Sequence, residues 1–327
     1  GGFAALSGSS VASALTMGKV SLAEMERFKY APRLSTGVVA AGGTLGILIP
    51  PSTGFVIFAI LTEQSIGRLF LAGVIPGLLL LAMFMLTVSI ICYIRPSAGL
   101  RGPVTTWDEK RRAISGAFPI LSVVVITIGG IYGGFFSPVE AAGVGTGLVI
   151  IYGILRRRLS FANFWDASRS SVVTTATVIL ILIGAHMINP FLALSHLPTY
   201  VGGALVALDL PVLGILALML LVYLVLGCFL EGFAMLVLTL PIFFPVVLEL
   251  GIDPIWFGVL VVLTLEMGLI SPPVGINVFI VKSVAPNVSL TDIFRGVAPF
   301  WLAMLVTLII LIAFPQLSLF LPDTMFN

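Results

Sequence analysis

The sequence predicts an all-α integral membrane protein made of inverted-topology repeats, each with a re-entrant hairpin and a broken helix. Composition argues for the membrane, a duplicated double-proline motif for the repeat and its breaks, and the placement of lysine and arginine for the inversion. Of 327 residues, 59% are hydrophobic and 9% charged, with a mean hydropathy of +1.20, whereas soluble domains carry about a quarter charged residues. A water-soluble fold is excluded. So is nucleic-acid binding, because the net charge is only +2 and the basic residues sit in short loops instead of forming a stripe.

Hydrophobic runs between charge clusters place spans near 34–61, 73–94, 117–136, 139–155, 170–189, 254–282 and 297–320. Runs such as Gly73–Ile94, Phe118–Phe136 and Val297–Leu319 approach or exceed the ~20 apolar residues that cross ~30 Å of hydrocarbon as a helix. Crossing parity then sorts the loops. If loop 19–33 is cytoplasmic, with Lys19, Arg27, Lys29 and Arg33, so are loops 95–112 and 156–169 with their arginines. Lys282 and Arg295 join them only if the long apolar region 211–250 enters the membrane and returns to the outside. Of the 16 basic residues, Arg68 alone is then external, which is the positive-inside asymmetry. Region 211–250 is therefore read as a re-entrant hairpin.

Smaller features complete the pass. Residues 104–115, with Trp107 beside Asp108, Glu109, Lys110, Arg111 and Arg112, read as a helix lying on the membrane surface; a solvated loop is the alternative. Ser137-Pro138-Val139-Glu140 is a helix start, with serine cap, proline at the first helical position and glutamate closing a capping box. Cys92 and Cys228 lie in apolar sequence without metal or redox spacing and read as buried thiols. His186 and His196 form no metal motif and read as structural.

The strongest signal is self-similarity. Gly46-Ile47-Leu48-Ile49-Pro50-Pro51 recurs as Gly268-Leu269-Ile270-Ser271-Pro272-Pro273, an offset of 222 that also sets Ser9 against Glu231. Downstream, Ser65-Ile66 with Phe70, Gly73 and Pro76 recurs as Ser289-Leu290 with Phe294, Gly296 and Pro299, allowing a gap. Residues 1–115 read as the carboxyl-terminal part of a first copy. Residues 116–327 read as the second: three spans, the hairpin 211–250, a broken helix 254–285 and a last span. An equivalent first copy would begin about 110 residues ahead of residue 1, so further spans are expected before it. The loop before the first double proline is basic and inside; the one before the second carries Glu249 and Asp253 and is outside. Inverted repeats of this kind mark secondary transporters, with the binding site at the repeat interface near the midplane.

Two adjacent prolines in mid-span remove hydrogen bonds and force an unwound segment. Freed backbone groups cannot face lipid; they are tolerated where they are buried in protein or line an aqueous cavity. Each break is preceded by a small or polar hairpin tip: Ser7-Gly8-Ser9-Ser10 in the first copy and Gly227-Cys228-Phe229-Leu230-Glu231-Gly232 in the second. Helix ends at a tip suit an anion, while unwound carbonyls suit Na⁺, a hard ion preferring oxygen. The candidate substrate contacts are Ser7, Gly8, Ser9, Ser10, Pro50, Pro51, Ser52, Pro272, Pro273 and Asn277. The candidate sodium contacts are Ser9, Gly42, Gly43, Thr44, Gly227, Glu231, Gly232, Gly268, Ser271 and Gly275. Serine and glycine also mediate plain helix packing, and Glu231 reads equally as a helix cap. Glu231 and Glu266 are the carboxylates nearest the expected midplane, where acids are functional candidates by default; Glu266 could instead pair with a residue outside this sequence. No cofactor is expected beyond Na⁺ as coupling ion.

At these motifs the chain resembles the large membrane subunit of tripartite ATP-independent periplasmic (TRAP) transporters, in the wider ion transporter superfamily. The resemblance runs from SGSS at 7–10 through AAGGTLGILIPPS at 40–52, SPVEAA at 137–142, GCFLEGFAMLVLTLPIFFP at 227–245 and LGIDPIWFG at 250–258 to GLISPPVGIN at 268–277. It implies an elevator-type, Na⁺-coupled carrier of small organic acids in the bacterial inner membrane. The partners it implies are a small four-helix membrane subunit, a periplasmic substrate-binding protein and membrane lipid. By motif, it puts the first sodium site at Ser7–Ser10 with Gly42–Thr44 and the second at Gly227–Gly232 with Gly268–Gly275. Ser271 stands where the family often has threonine, and Glu231 where many members have aspartate. The competing readings are a dicarboxylate or citrate symporter of the same superfamily that needs no binding protein and, more remotely, a membrane-embedded enzyme. No HExxH, GxSxG or paired-aspartate motif supports the enzyme.

Overall fold

In the computed structural model the described residues are 7–99 and 106–326; Gly1 to Ala5, Arg101 and Val104 lie outside them. The regular structure is helical: α1 (Ser10–Arg27), α2 (Pro32–Leu48), α3 (Thr53–Thr62), α4 (Ile66–Ile94), α5 (Trp107–Tyr132), α6 (Pro138–Leu155), α7 (Phe161–Leu194), α8 (Leu197–Val206), α9 (Val212–Gly227), α10 (Gly232–Glu249), α11 (Pro254–Leu269), α12 (Ile276–Val284), α13 (Leu290–Ala313) and α14 (Gln316–Phe326). Among the described residues five (α4, α6, α7, α10 and α13) are long and apolar enough to cross a membrane, six if α2 and α3 count as one bent span. Helix α10, expected as an arm of a re-entrant hairpin, is among them, and the expected span 254–282 is divided into the shorter α11 and α12. The helices form two compact units, one of residues 1–104, 210–235 and 247–327 and one of residues 105–209 and 236–246. These units group what packs together, so they cut across the sequence copies 1–115 and 116–327, which group what is similar.

In the first unit, α2 and α3 bend by 41° at the first double proline. Ile49 leaves helical geometry, and Ser52 restarts the helix by accepting the Phe55 N–H at 3.3 Å. The second double proline separates α11 from α12, and Gly275, with a left-handed φ of +62°, turns the chain into α12. Glycine alone adopts that conformation without cost. The two broken helices lie against each other in opposite senses. Gly54 meets Val262 while Phe58 meets Gly258 and Phe257, so the contacts advance along α3 as they recede along α11.

Helix α13 crosses α2 backbone to backbone. A Cβ on Gly37 would stand 2.3 Å from the Gly296 carbonyl oxygen, and one on Gly296 would stand 2.1 Å from that of Arg33. At the same end Arg33 pairs with Asp292 at 2.6 Å. That pair is half exposed and contributes about 0–1 kcal/mol, so small-residue packing holds the crossing.

The apolar region 211–250 folds as α9 and α10 around a turn at 228–231. Cys228 lies in that turn and is half-buried, as is Cys92 on α4; both are free thiols, not the fully buried ones expected. A turn and an outward helix face leave sulfur partly open.

In the second unit, residues 107–115 do not form a helix separate from the next span. They begin α5, because Thr106 and Glu109 close a capping box there and the helix then continues to Tyr132. Helix α6 starts as its sequence indicates: Glu140 Oε2 accepts the Ser137 N–H at 2.8 Å, and Ser137 Oγ accepts that of Glu140 at 3.3 Å. Helix α7 starts at Phe161, nine residues before the expected apolar span, since hydropathy bounds the hydrocarbon-crossing part and not the helix. Within the chain α6 and α7 bury little of their apolar surface among the described residues. His186 and His196 are exposed.

Candidate functional site

The segment Ser7–Ser10, expected as the first hairpin tip, is tied to the first break. The Ser7 hydroxyl donates to the Ser9 carbonyl at 3.2 Å, Gly8 takes a left-handed φ of +60°, and Ser9 caps α1 by accepting the Ala12 N–H at 3.4 Å. The Gly8 carbonyl accepts both the Thr53 N–H at 3.3 Å and the Thr53 hydroxyl at 2.6 Å. A Cβ at Gly8 would stand 3.0 Å from the Pro51 carbonyl oxygen. The tip thus lies on Pro50-Pro51-Ser52, and the Ser52 hydroxyl donates back to the Ile47 carbonyl. Gly43 fits under the start of α1, where a Cβ would stand 2.9 Å from the Ser10 carbonyl oxygen. Gly42, Gly43 and Ser13 line a cavity of about 450 Å³ between α1 and α2. Thr44 is buried, and its hydroxyl donates to the Ala41 carbonyl at 2.6 Å, which leaves its oxygen lone pairs available.

The second tip meets the second break through glycine on glycine. A Cβ on Gly268 would stand 2.6 Å from both the Cα and the carbonyl carbon of Gly227. Beside it the Ser271 hydroxyl donates to the Met267 carbonyl at 2.7 Å and accepts the Trp301 indole N–H at 2.8 Å. A cavity of about 510 Å³ opens there, lined by Cys228, Ser271, Pro272 and Trp301 among apolar side chains. Glu231 Oε2 accepts the N–H groups of Phe233 at 2.9 Å and Ala234 at 3.4 Å, the geometry of an N-cap on α10. Gly232 lies under Leu265. Asn277 is fully buried on the first turn of α12, with neither polar side-chain atom hydrogen-bonded among the described residues.

Residues 1–317 match the family described as Tripartite ATP-independent periplasmic transporter, DctM component. The C4-dicarboxylate TRAP transporter large permease of Pseudomonas aeruginosa is 37% identical over 326 residues, covering 98% of this chain and 75% of that protein. The chain belongs to the DctM family of TRAP transporters. The sialic acid TRAP transporter large permease of Vibrio cholerae is 34% identical over 98% of this chain and 75% of its own length. The isethionate TRAP transporter permease DctMQ of Oleidesulfovibrio alaskensis is 33% identical over 97% of this chain and 50% of its own length. The resemblance carried by the motifs therefore extends over residues 1–317, and the relatives are named as transporter permeases.

Within this DctM-family chain, Gly8 joins the first tip to Pro51 and Thr53, and Gly227 meets Gly268 beside Ser271, whereas Gly42 and Thr44 make no contact with Gly8 among the described residues. Three side chains join them without having been singled out in the sequence. Thr53 follows Ser52 in a helix start and only the fold shows that it holds the tip. Trp301 is one aromatic in a long apolar run, and Ser13 one hydroxyl in an ordinary helix.

The capping geometry of Glu231 carries a prediction. Glu231→Gln keeps an acceptor oxygen but removes the negative charge that complements the α10 N-terminus, a contribution of about 0.3–1 kcal/mol. The melting temperature of the purified subunit is expected to fall by a few degrees, with the sodium concentration for half-maximal uptake unchanged. A raised sodium requirement at unchanged melting would instead make the Glu231 carboxylate an ion ligand.

Proposed function

We propose that this chain is the large membrane subunit of a sodium-coupled secondary carrier that takes small organic anions across the bacterial inner membrane. It receives them from a periplasmic binding protein and works beside a small four-helix membrane subunit. One observation carries the reading: two helix breaks, at matching sequence positions and in helices of opposite sense, each meet a glycine-containing turn, Ser7–Ser10 at the first and Gly227–Gly232 at the second. Unwound backbone in a membrane persists where it lines a site. The opposite senses of α3 and α11 support an inverted repeat, and the membership of every candidate site residue in the first compact unit supports an elevator-type carrier.

Carbonyl and hydroxyl oxygens at Ser9, Gly42, Gly43 and Thr44 would hold one Na⁺; those at Gly227, Gly268, Ser271 and Gly275, with Glu231 and Gly232 closing the tip, would hold another. The substrate would lie between the tips, against Ser7–Ser10, the two proline pairs, Ser52 and Asn277. The names of the relatives, a C4-dicarboxylate, a sialic acid and an isethionate permease, support a small carboxylate or a similar anion as substrate.

The test is uptake into liposomes holding this chain and its small subunit, with a panel of carboxylates, an imposed sodium gradient, and the binding protein present or absent. Uptake that needs both gradient and binding protein is expected; uptake without the binding protein would favour a symporter working alone. Ser9→Ala and Asn277→Leu are expected to weaken the sodium dependence more than the amount of folded protein, because a lost oxygen ligand has no water to replace it. Unchanged sodium dependence at normal abundance would remove that residue from the site.

A further inference from the structure

Glu266 lies on the last turn of α11, 0% exposed, and neither carboxylate oxygen has a hydrogen-bond partner among the described residues. An ionised carboxylate left so in a dry interior costs far more than any packing around it recovers, and native structures retain one only where a partner arrives. The Ser10 hydroxyl faces it without meeting hydrogen-bond geometry, and Ser10 Oγ is itself unpaired and fully buried.

Asn277 and Ser13 belong to the same level of the unit. Helices α1 and α12 run in the same sense, because each ends where a short loop leads to the Arg33–Asp292 pair at the starts of α2 and α13. Gly18 touches Val284, so counting back along both helices brings Ser10 and Ser13 level with the first turn of α12, which carries Asn277. The side chains of Ser10, Ser13, Glu266 and Asn277 are all buried, and all lack hydrogen bonds among the described residues.

We propose that Glu266, together with Ser10 and Asn277, which also border the substrate position, forms a third cation site, between the two helix-break sites, that takes a hard monovalent cation of the Na⁺ class. Oxygen ligands select such an ion over softer metals, and one carboxylate with one monovalent cation is neutral, as a site crossing a low-dielectric layer requires. A divalent ion would need more carboxylates or retained water than this site offers. An anion is excluded by Glu266 itself. The site rests on the sodium-coupled reading, and it adds a fully buried carboxylate to the ligands.

The purified protein, reconstituted in nanodiscs, is melted in increasing NaCl and, as control, choline chloride, at neutral and mildly acid pH. An ion that binds only the folded state raises the melting temperature with its concentration. The wild type is expected to rise with sodium. Glu266→Gln should melt higher than wild type in choline, since the unpaired charge is gone, and lose at least half of the sodium-dependent rise, the remainder belonging to the helix-break sites. Ser10→Ala keeps the carboxylate and should need about fivefold more sodium for half the rise, the effect of one lost neutral ligand. A full, unshifted sodium response in both variants would overturn the proposal, as would a wild type stabilised by acid but not by sodium, which would make Glu266 a neutral acid. Sodium-driven uptake in liposomes reads the other claim separately: uptake indifferent to sodium, with the melting differences intact, would sink the coupling and leave the site.

Discussion

Gly296→Ala is expected to lower the melting temperature of the purified subunit by more than any other single methyl addition to the α2–α13 crossing. The added Cβ would stand 2.1 Å from the Arg33 carbonyl oxygen and 3.0 Å from its carbonyl carbon. Those are backbone atoms, which no rotamer change can move. Overpacking of this kind costs about 1–3 kcal/mol, and the upper end applies because lipid offers helices no hydrophobic drive to stay together; close approach of small residues is what holds them. Gly37→Ala, at 2.3 Å from the Gly296 carbonyl, should behave alike. Gly143→Ala on α6, where a Cβ meets nothing within 4 Å, is the control and should hold or raise the melting temperature, since alanine favours a helix by up to about 1 kcal/mol. Equal melting of Gly296→Ala and Gly143→Ala would show that the crossing is looser than described.

Gly268→Ala should instead strike transport harder than folding. Its Cβ would stand 2.6 Å from the Gly227 backbone, so the hairpin tip must back away from the second break. No smaller residue exists at position 227 to make room, and a compensating substitution is therefore not available. A displacement of about 1 Å at a binding site costs on the order of 10²-fold in function, and uptake by Gly268→Ala is expected to fall at least tenfold at unchanged abundance. Uptake within twofold of wild type would separate the Gly227–Gly268 contact from the transport site.

The helix ends illustrate what could be read in advance and what could not. Ser137 and Glu140 announce a capping box from residue types three apart, and the box forms because capping is local chemistry. Glu231 lacks that local signature; it reads equally as a cap or as an ion ligand, and only the path of the chain into α10 aims its carboxylate at the Phe233 and Ala234 amides. The segment 107–115 shows the opposite error. Its amphipathic composition suits a surface helix, but composition carries no signal that the helix continues through Gly116 and Pro119 into the span.

What the sequence determined by itself is the membrane fold, the approximate spans and the two breaks, because hydropathy and the missing hydrogen bonds of proline act over a few residues wherever those residues lie. The 222-residue offset also revealed which segments correspond, though not that they touch. Tertiary structure decided the rest. Gly37 against Gly296, Gly227 against Gly268, Thr53 on the Gly8 carbonyl, and Ser10 facing Glu266 are encounters between segments far apart in the chain. Whether a buried polar atom finds a partner depends on what the other helices bring to it, and no residue carries that information alone.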